Sequence, residues 1–93
     1  MTACFYCENG EKLRSLMIEI CELKYSKVYL NRDQKHPGRC IVALKGHKTE
    51  YFQMTPEENA GYFAEVSKVA KAIYDLYKPD KINYATFGDG VPH

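Results

Sequence analysis

Apolar residues fall in short runs over the first half of the chain and recur every three or four positions over the second. Between Leu13 and Leu23 two patterns overlap. Leu13, Leu16, Met17, Ile20 and Cys21 fit a helical stripe, while residues 17–23 alternate in part and carry two isoleucines. The β-rich run at residues 26–30 would pair with a preceding strand, and on that ground a strand is expected before it. Residues 31–38 are polar and close on Pro37-Gly38, a loop signal. Cys40-Ile41-Val42-Ala43-Leu44 is a continuous apolar run, as in a strand buried on both faces. Thr55-Pro56-Glu57-Glu58 then reads as an N-cap, a proline at the first helical position and a glutamate that completes a capping box. Ala60, Phe63, Val66, Ala70, Ile73 and Tyr77 follow as one stripe, Lys71 and Lys78 suit the negative end of a helix dipole, and Pro79 stops the run. The pattern predicts a helix from about Pro56 to Tyr77, roughly 33 Å long at 1.5 Å per residue. Residues 82–87 read as a last strand and lead into a Gly-Asp-Gly turn ending at His93.

The order is strands, one long helix, then a strand, which is an α+β plan with the helix covering one face of an antiparallel sheet. Ninety-three residues make one domain. A sheet whose final strand leads into a glycine loop is unfinished, so a further strand is expected after His93. A formal net charge of +1 gives no global pull toward nucleic acid or a membrane surface. No apolar run approaches the roughly 20 residues that span a bilayer. The N-terminus lacks a basic patch followed by an apolar stretch, so a cytoplasmic location is expected.

Chemistry gathers on few residues. Cys4 and Cys7 stand at metal-ligand spacing, and two remote histidines, His47 after the apolar strand and His93 after the glycine loop, either complete a four-ligand zinc site with them or are unrelated to a cysteine pair on a frayed N-terminus. The competing use of a C-x-x-C pair, thioredoxin-type redox chemistry, belongs at a strand-to-helix junction inside a βαβ pattern, and none is present. Cys21 and Cys40 lie in apolar runs and read as small buried hydrophobes, and His36 as a solvated loop residue. Arg39 either offers a fixed guanidinium to a phosphate or is a rim charge at a strand end, and spacing alone favours the rim charge. Backbone N–H groups of the Gly88-Asp89-Gly90 loop either approach an anion or form only a turn.

Several of these segments together resemble the histidine triad (HIT) superfamily. They are residues 26–30, the turn and strand at residues 37–43, Lys45-Gly46-His47, the capped helix, and the closing Phe87-Gly88-Asp89-Gly90-Val91-Pro92-His93. The resemblance covers essentially the whole chain and is closest to the bacterial branch with an N-terminal C-x-x-C. It implies a HIT-like antiparallel sheet of about five strands covered by one long helix. It implies as well that residues 1–93 are a single domain, C-terminally incomplete, because His93 matches the first histidine of the His-φ-His-φ-His-φ-φ motif (φ apolar). The family's nucleophile is the middle histidine, two positions further on. It attacks a nucleotide α-phosphorus, giving a covalent nucleotidyl-histidine that water or another acceptor discharges.

By the same resemblance Cys4, Cys7, His47 and His93 hold a structural Zn²⁺, and His93 supports catalysis. Asn31, Arg39 and Gly90 fall at substrate-binding positions. Arg39 stands where many relatives have a further histidine, and Asn31 where an acidic residue often grips the ribose. The implied protein is a homodimeric nucleotide hydrolase or nucleotidyl transferase, acting on dinucleoside polyphosphates or nucleoside phosphoramidates. Tyr62, Tyr74 and Tyr77 would suit its dimer interface, and no membrane or nucleic-acid partner is expected. The alternative is a zinc-stabilised nucleotide-binding module without catalysis.

Overall fold

The computed structural model describes residues 4–8, 10–86 and 93. Two short helices, α1 (Phe5–Glu8) and α2 (Glu11–Leu16), precede strands β1 (Met17–Glu22), β2 (Ser26–Asn31) and β3 (Cys40–Leu44). A 3₁₀ turn (Tyr51–Gln53) then leads to the long helix α3 (Pro56–Tyr77). The strands form one antiparallel sheet in the order β1-β2-β3, so the class is α+β. No helix among the described residues is long and apolar enough to cross a membrane.

The overlapping patterns before Leu23 resolve into both elements. The chain is helical to Leu16 and extended from Met17, and Leu13 and Met17 meet in the same buried cluster with Tyr29 and Ala43. Tyr6 of α1 and Ile41 of β3 pack against that cluster. These residues cover one face of the sheet. The other face carries Ser26 and Val28, 0% and 3% exposed, and belongs to α3. Cys21 departs from its expected burial: it is exposed, as is every residue of β1 after Met17, because β1 lies at an edge of the three-stranded sheet and is left uncovered there. Cys40 is half-buried, and β3 is only partly covered along most of its length.

Helix α3 begins where its sequence signal places it. The Thr55 hydroxyl accepts from the Glu58 N–H at 3.1 Å, and the Glu58 carboxylate accepts from the Thr55 N–H at 2.9 Å. Hydrogen bonds fasten the helix to the sheet. The Glu65 carboxylate accepts from the Ser26 hydroxyl at 2.6 Å and from the Tyr25 N–H at 3.1 Å. The Tyr62 hydroxyl donates to the Val42 carbonyl at 2.7 Å. At the far end Tyr77 lies on Gly38, which has φ +86°, and a Cβ there would stand 2.9 Å from its ring. Gly61 is needed for the same reason, since the Tyr25 ring occupies the space a side chain would take. Of the predicted stripe, Ala70 is buried, Val66 and Ile73 are half-buried, and Ala60, Phe63 and Tyr77 remain exposed.

Residues 81–86 are not a strand. They run without ladder pairing along the far side of a groove beside β3, and Thr86 shares a hydrogen bond with the Tyr51 hydroxyl. An apolar run signals burial, but a strand also needs to lie against a partner edge in register, and residues 81–86 stand across the groove from the outer edge of β3. The sheet therefore has three strands among the described residues; the strand expected at residues 82–87 is not formed over residues 82–86, and the last of the five implied strands was expected beyond His93. The expected site residue Gly90 lies outside the described residues.

Candidate metal centre and the groove beside β3

Cys4 opens α1 and Cys7 lies one helical turn on, with the Glu8 N–H bonded to the Cys4 carbonyl at 3.0 Å. Residues three apart on such a turn share a face, which points both thiols the same way. His47 follows β3, and His93 comes back from the other end of the described chain. The ligand atoms of these four residues all lie within 4.8 Å of one another, so the cluster can hold a metal ion. Nδ1 of His93 is 3.3 Å from the Cys4 sulfur and 3.7 Å from the Cys7 sulfur, and Nδ1 of His47 is 3.3 Å from the Cys7 sulfur.

The tautomer of His93 follows from its second contact. Its Nε2 is 2.7 Å from the Leu44 carbonyl oxygen, which can only accept, so Nε2 carries the proton and Nδ1 turns its lone pair toward the sulfurs. The ring is flanked by His47, with centroids 5.3 Å apart, and by Tyr6 at 5.2 Å. Tyr6 also packs on Tyr29, at 6.0 Å, and so joins the cluster to the core. Burial is the main cause that raises the Tyr6 hydroxyl to about 12. The Cys7 thiol is held above its ordinary value, first by desolvation and then by the hydrogen bond and charge of Cys4 and the charge of Glu8. A cation bound beside the Cys7 sulfur would offset this, because a coordinating thiol gives up its proton.

The other feature of the site is the outer edge of β3. The Asn31 N–H bonds the Arg39 carbonyl at 3.1 Å and the Lys45 N–H bonds the Tyr25 carbonyl at 2.9 Å. In an antiparallel ladder this phase makes Tyr29/Ile41 and Lys27/Ala43 the hydrogen-bonded pairs, so the backbone groups of Cys40, Val42 and Leu44 face away from β2. Two of those outward carbonyls are occupied, Val42 by the Tyr62 hydroxyl and Leu44 by His93. Among the described residues, no acceptor meets the outward N–H groups of Val42 and Leu44. They face a groove of about 740 Å³ between β3, α3 and residues 81–86. Its walls are mainly apolar, with Val66, Ala70 and Ile73 from α3 and Ile82 and Tyr84 opposite.

Asn31 and Arg39 both reach this groove, and His93 lies at its other end. The Asn31 side-chain oxygen accepts from the Asp33 N–H at 3.0 Å, so its amide NH₂ is the part left to face a ligand. Arg39 is exposed, while its carbonyl accepts from the Asn31 N–H and from the Gln34 amide. Tyr62 turns inward to β3, and Tyr74 and Tyr77 are each 48% exposed. Three contributors went unread in the sequence: Tyr6, Tyr62 as a backbone donor, and the Leu44 carbonyl. An aromatic between two ligand cysteines is a usable signal for the first, whereas the carbonyl carries no sequence signal.

The chain matches no established family profile and no curated protein sequence.

Proposed function

We propose that the chain is the greater part of a HIT-type nucleotide hydrolase or nucleotidyl transferase with a structural Zn²⁺. The observation that carries this is a Cys₂His₂ cluster at one end of β3 opening onto an apolar groove with polar groups at its two ends. Around a tetrahedral zinc with Zn–S of about 2.3 Å and Zn–N of about 2.05 Å, sulfur and nitrogen ligands stand about 3.6 Å apart. Three of the sulfur–nitrogen distances, 3.3, 3.3 and 3.7 Å, lie near that value. Cys4, Cys7, His47 and His93 would hold the ion, and four protein ligands leave no place for substrate. When bound, the ion supplies rigidity to the register of His93.

The groove volume lies within the roughly 300–1,000 Å³ of small-molecule sites, large enough for a nucleotide. Asn31 faces it as a hydrogen-bonding group for a ribose, and Arg39 as a planar fork for phosphate oxygens. His93 is tied to the Leu44 end of β3. A motif strand continuing from His93 advances about 6.8 Å in two residues, the separation of the second histidine from the first. The second histidine is the nucleophile of the reading, and its attack on the α-phosphorus splits one displacement into two.

The test is to read the gene beyond codon 93 and to assay the 93-residue and extended chains on a dinucleoside polyphosphate. A histidine at position 95 is expected, with turnover in the extended chain and none in the shorter one. Loss of a nucleophile costs on the order of a millionfold in turnover. In the extended chain Arg39→Ala should lower kcat by roughly 10²-fold if the guanidinium meets charge that develops in the transition state. Equal turnover by the two chains would place the chemistry elsewhere, and unchanged kcat and KM would return Arg39 to the surface.

A further inference from the structure

We propose that Cys7 and Cys4 form a peroxide-sensitive thiol pair, in which oxidation of the outer sulfur and closure by the inner one expel the metal. The proposal rests on the metal reading above and concerns what regulates that site. The cluster has an outer and an inner half. Cys7 and His47 are exposed, whereas Cys4 is only 8% exposed and His93 is part-buried against Tyr6 and Leu44. A second cavity, of about 410 Å³, reaches Cys7 and is walled on one side by Lys27, Lys45 and Glu22. Lys45 bonds Glu22 at 2.9 Å and Lys27 stands 4.0 Å from it, so the approach is polar and admits a small polar oxidant such as hydrogen peroxide.

The chemistry needs only groups already on this turn and the oxidant. Metal ligation keeps both sulfurs as thiolates, the form that attacks. The Cys7 sulfur takes one oxygen of the peroxide, the O–O bond breaks, and hydroxide leaves, giving a sulfenic acid on Cys7. The Cys4 sulfur then attacks the Cys7 sulfur and expels the second hydroxide. Two thiolates have lost one electron each, the peroxide has gained two, and a Cys4–Cys7 disulfide remains. Cysteines three apart on one helical turn have Cβ atoms about 5–6 Å apart, wider than the 3.5–4.5 Å a relaxed disulfide takes. The bond is therefore reopened by ordinary thiols. Oxidation leaves only His47 and His93 as ligands, and the metal dissociates.

Two cysteines serve as internal references. Cys21 is exposed and stands outside the metal cluster, and Cys40 is half-buried on β3. Zinc-loaded chain is titrated with hydrogen peroxide. Released zinc is followed with a chromophoric chelator, free thiols are counted, and peptide mass mapping locates the products. One equivalent of zinc per Cys4–Cys7 disulfide is expected, with Cys21 and Cys40 still reduced at that point and rebinding after a thiol reductant. The Cys21→Ser variant should behave identically, and Cys4→Ser should yield overoxidised Cys7 in place of a disulfide. Zinc retained while Cys21 is oxidised, or Cys7 carried to sulfinic acid with Cys4 untouched, overturns this proposal alone. A chain that holds no zinc before peroxide is added overturns the metal reading and this one with it.

Discussion

Removing a metal held by this cluster should destabilise the fold. The four ligands join the α1 turn, the segment after β3 and His93, which lie 40 and 86 residues from Cys7. An unfolded chain does not hold them together, so affinity for the folded cluster becomes folding free energy. With free zinc buffered at a hundred times its dissociation constant, linkage contributes about 2.7 kcal/mol. Unfolding entropy of about 2.1 cal/mol/K per residue, over 93 residues, gives roughly 0.2 kcal/mol/K. The expected change in Tm is then about 14 °C between buffered zinc and excess chelator. Scanning calorimetry at fixed free zinc reads it directly, with Cys7→Ser as the control that should lose nearly all of the shift. A shift under about 3 °C at saturating zinc, or one that survives in Cys7→Ser, would refute the reasoning. In either case the cluster would not be what couples metal to the fold.

Two other perturbations test how α3 is held. Glu65→Ala strips the Ser26 hydroxyl, fully buried, and the Tyr25 N–H of their shared carboxylate acceptor. Urea unfolding should show a loss of about 2–4 kcal/mol, with Glu65→Gln recovering part of it. Burial raises the hydroxyls of both Tyr6 and Tyr62 from 10.0 to about 12. A folded value above the unfolded one means their stabilisation is whole below pH 10 and lost as pH climbs toward about 12. The Tyr6→Phe/Tyr62→Phe double variant should therefore show a flatter fall in urea midpoint over that window than the parent, and parallel profiles would count against it.

What the sequence made legible was whatever depends on local chemistry. Thr55, Pro56 and Glu58 announce the start of α3 because a capping box satisfies helix-end donors within four residues. The helix and strand stripes between Leu13 and Leu23 were both correct in part. Leu13 and Met17 serve one core from two different elements, and nothing in periodicity alone places the junction at Leu16. Cys21 was misplaced because an apolar run does not reveal that its strand will lie uncovered at a sheet edge, and residues 82–86 because an unladdered run and a strand share the same apolar signature. The four residues that could hold a metal were readable across long separations because few residue types can fill that role. The ring nitrogen each histidine offers was not readable, since the Leu44 carbonyl that decides it for His93 comes from backbone geometry.

The metal cluster and the groove meet on one strand, and that gives the site its logic. An outer strand exposes alternate backbone groups, and an uncovered edge recruits other strands. On β3 the Val42 carbonyl is closed by a side chain from α3 and the Leu44 carbonyl by His93, which leaves outward N–H groups facing an apolar groove. His93 closes its carbonyl through Nε2 only while Nδ1 is directed at the two sulfurs, so filling the cluster and covering the end of β3 are one geometric act. Tyr6 carries that act inward, because its ring touches both His93 and the Tyr29 that anchors the core. A metal placed among these four ligands therefore fixes where the edge of β3 ends. A groove built on that edge would then take its register from an ion held by four protein ligands, with no open position of its own.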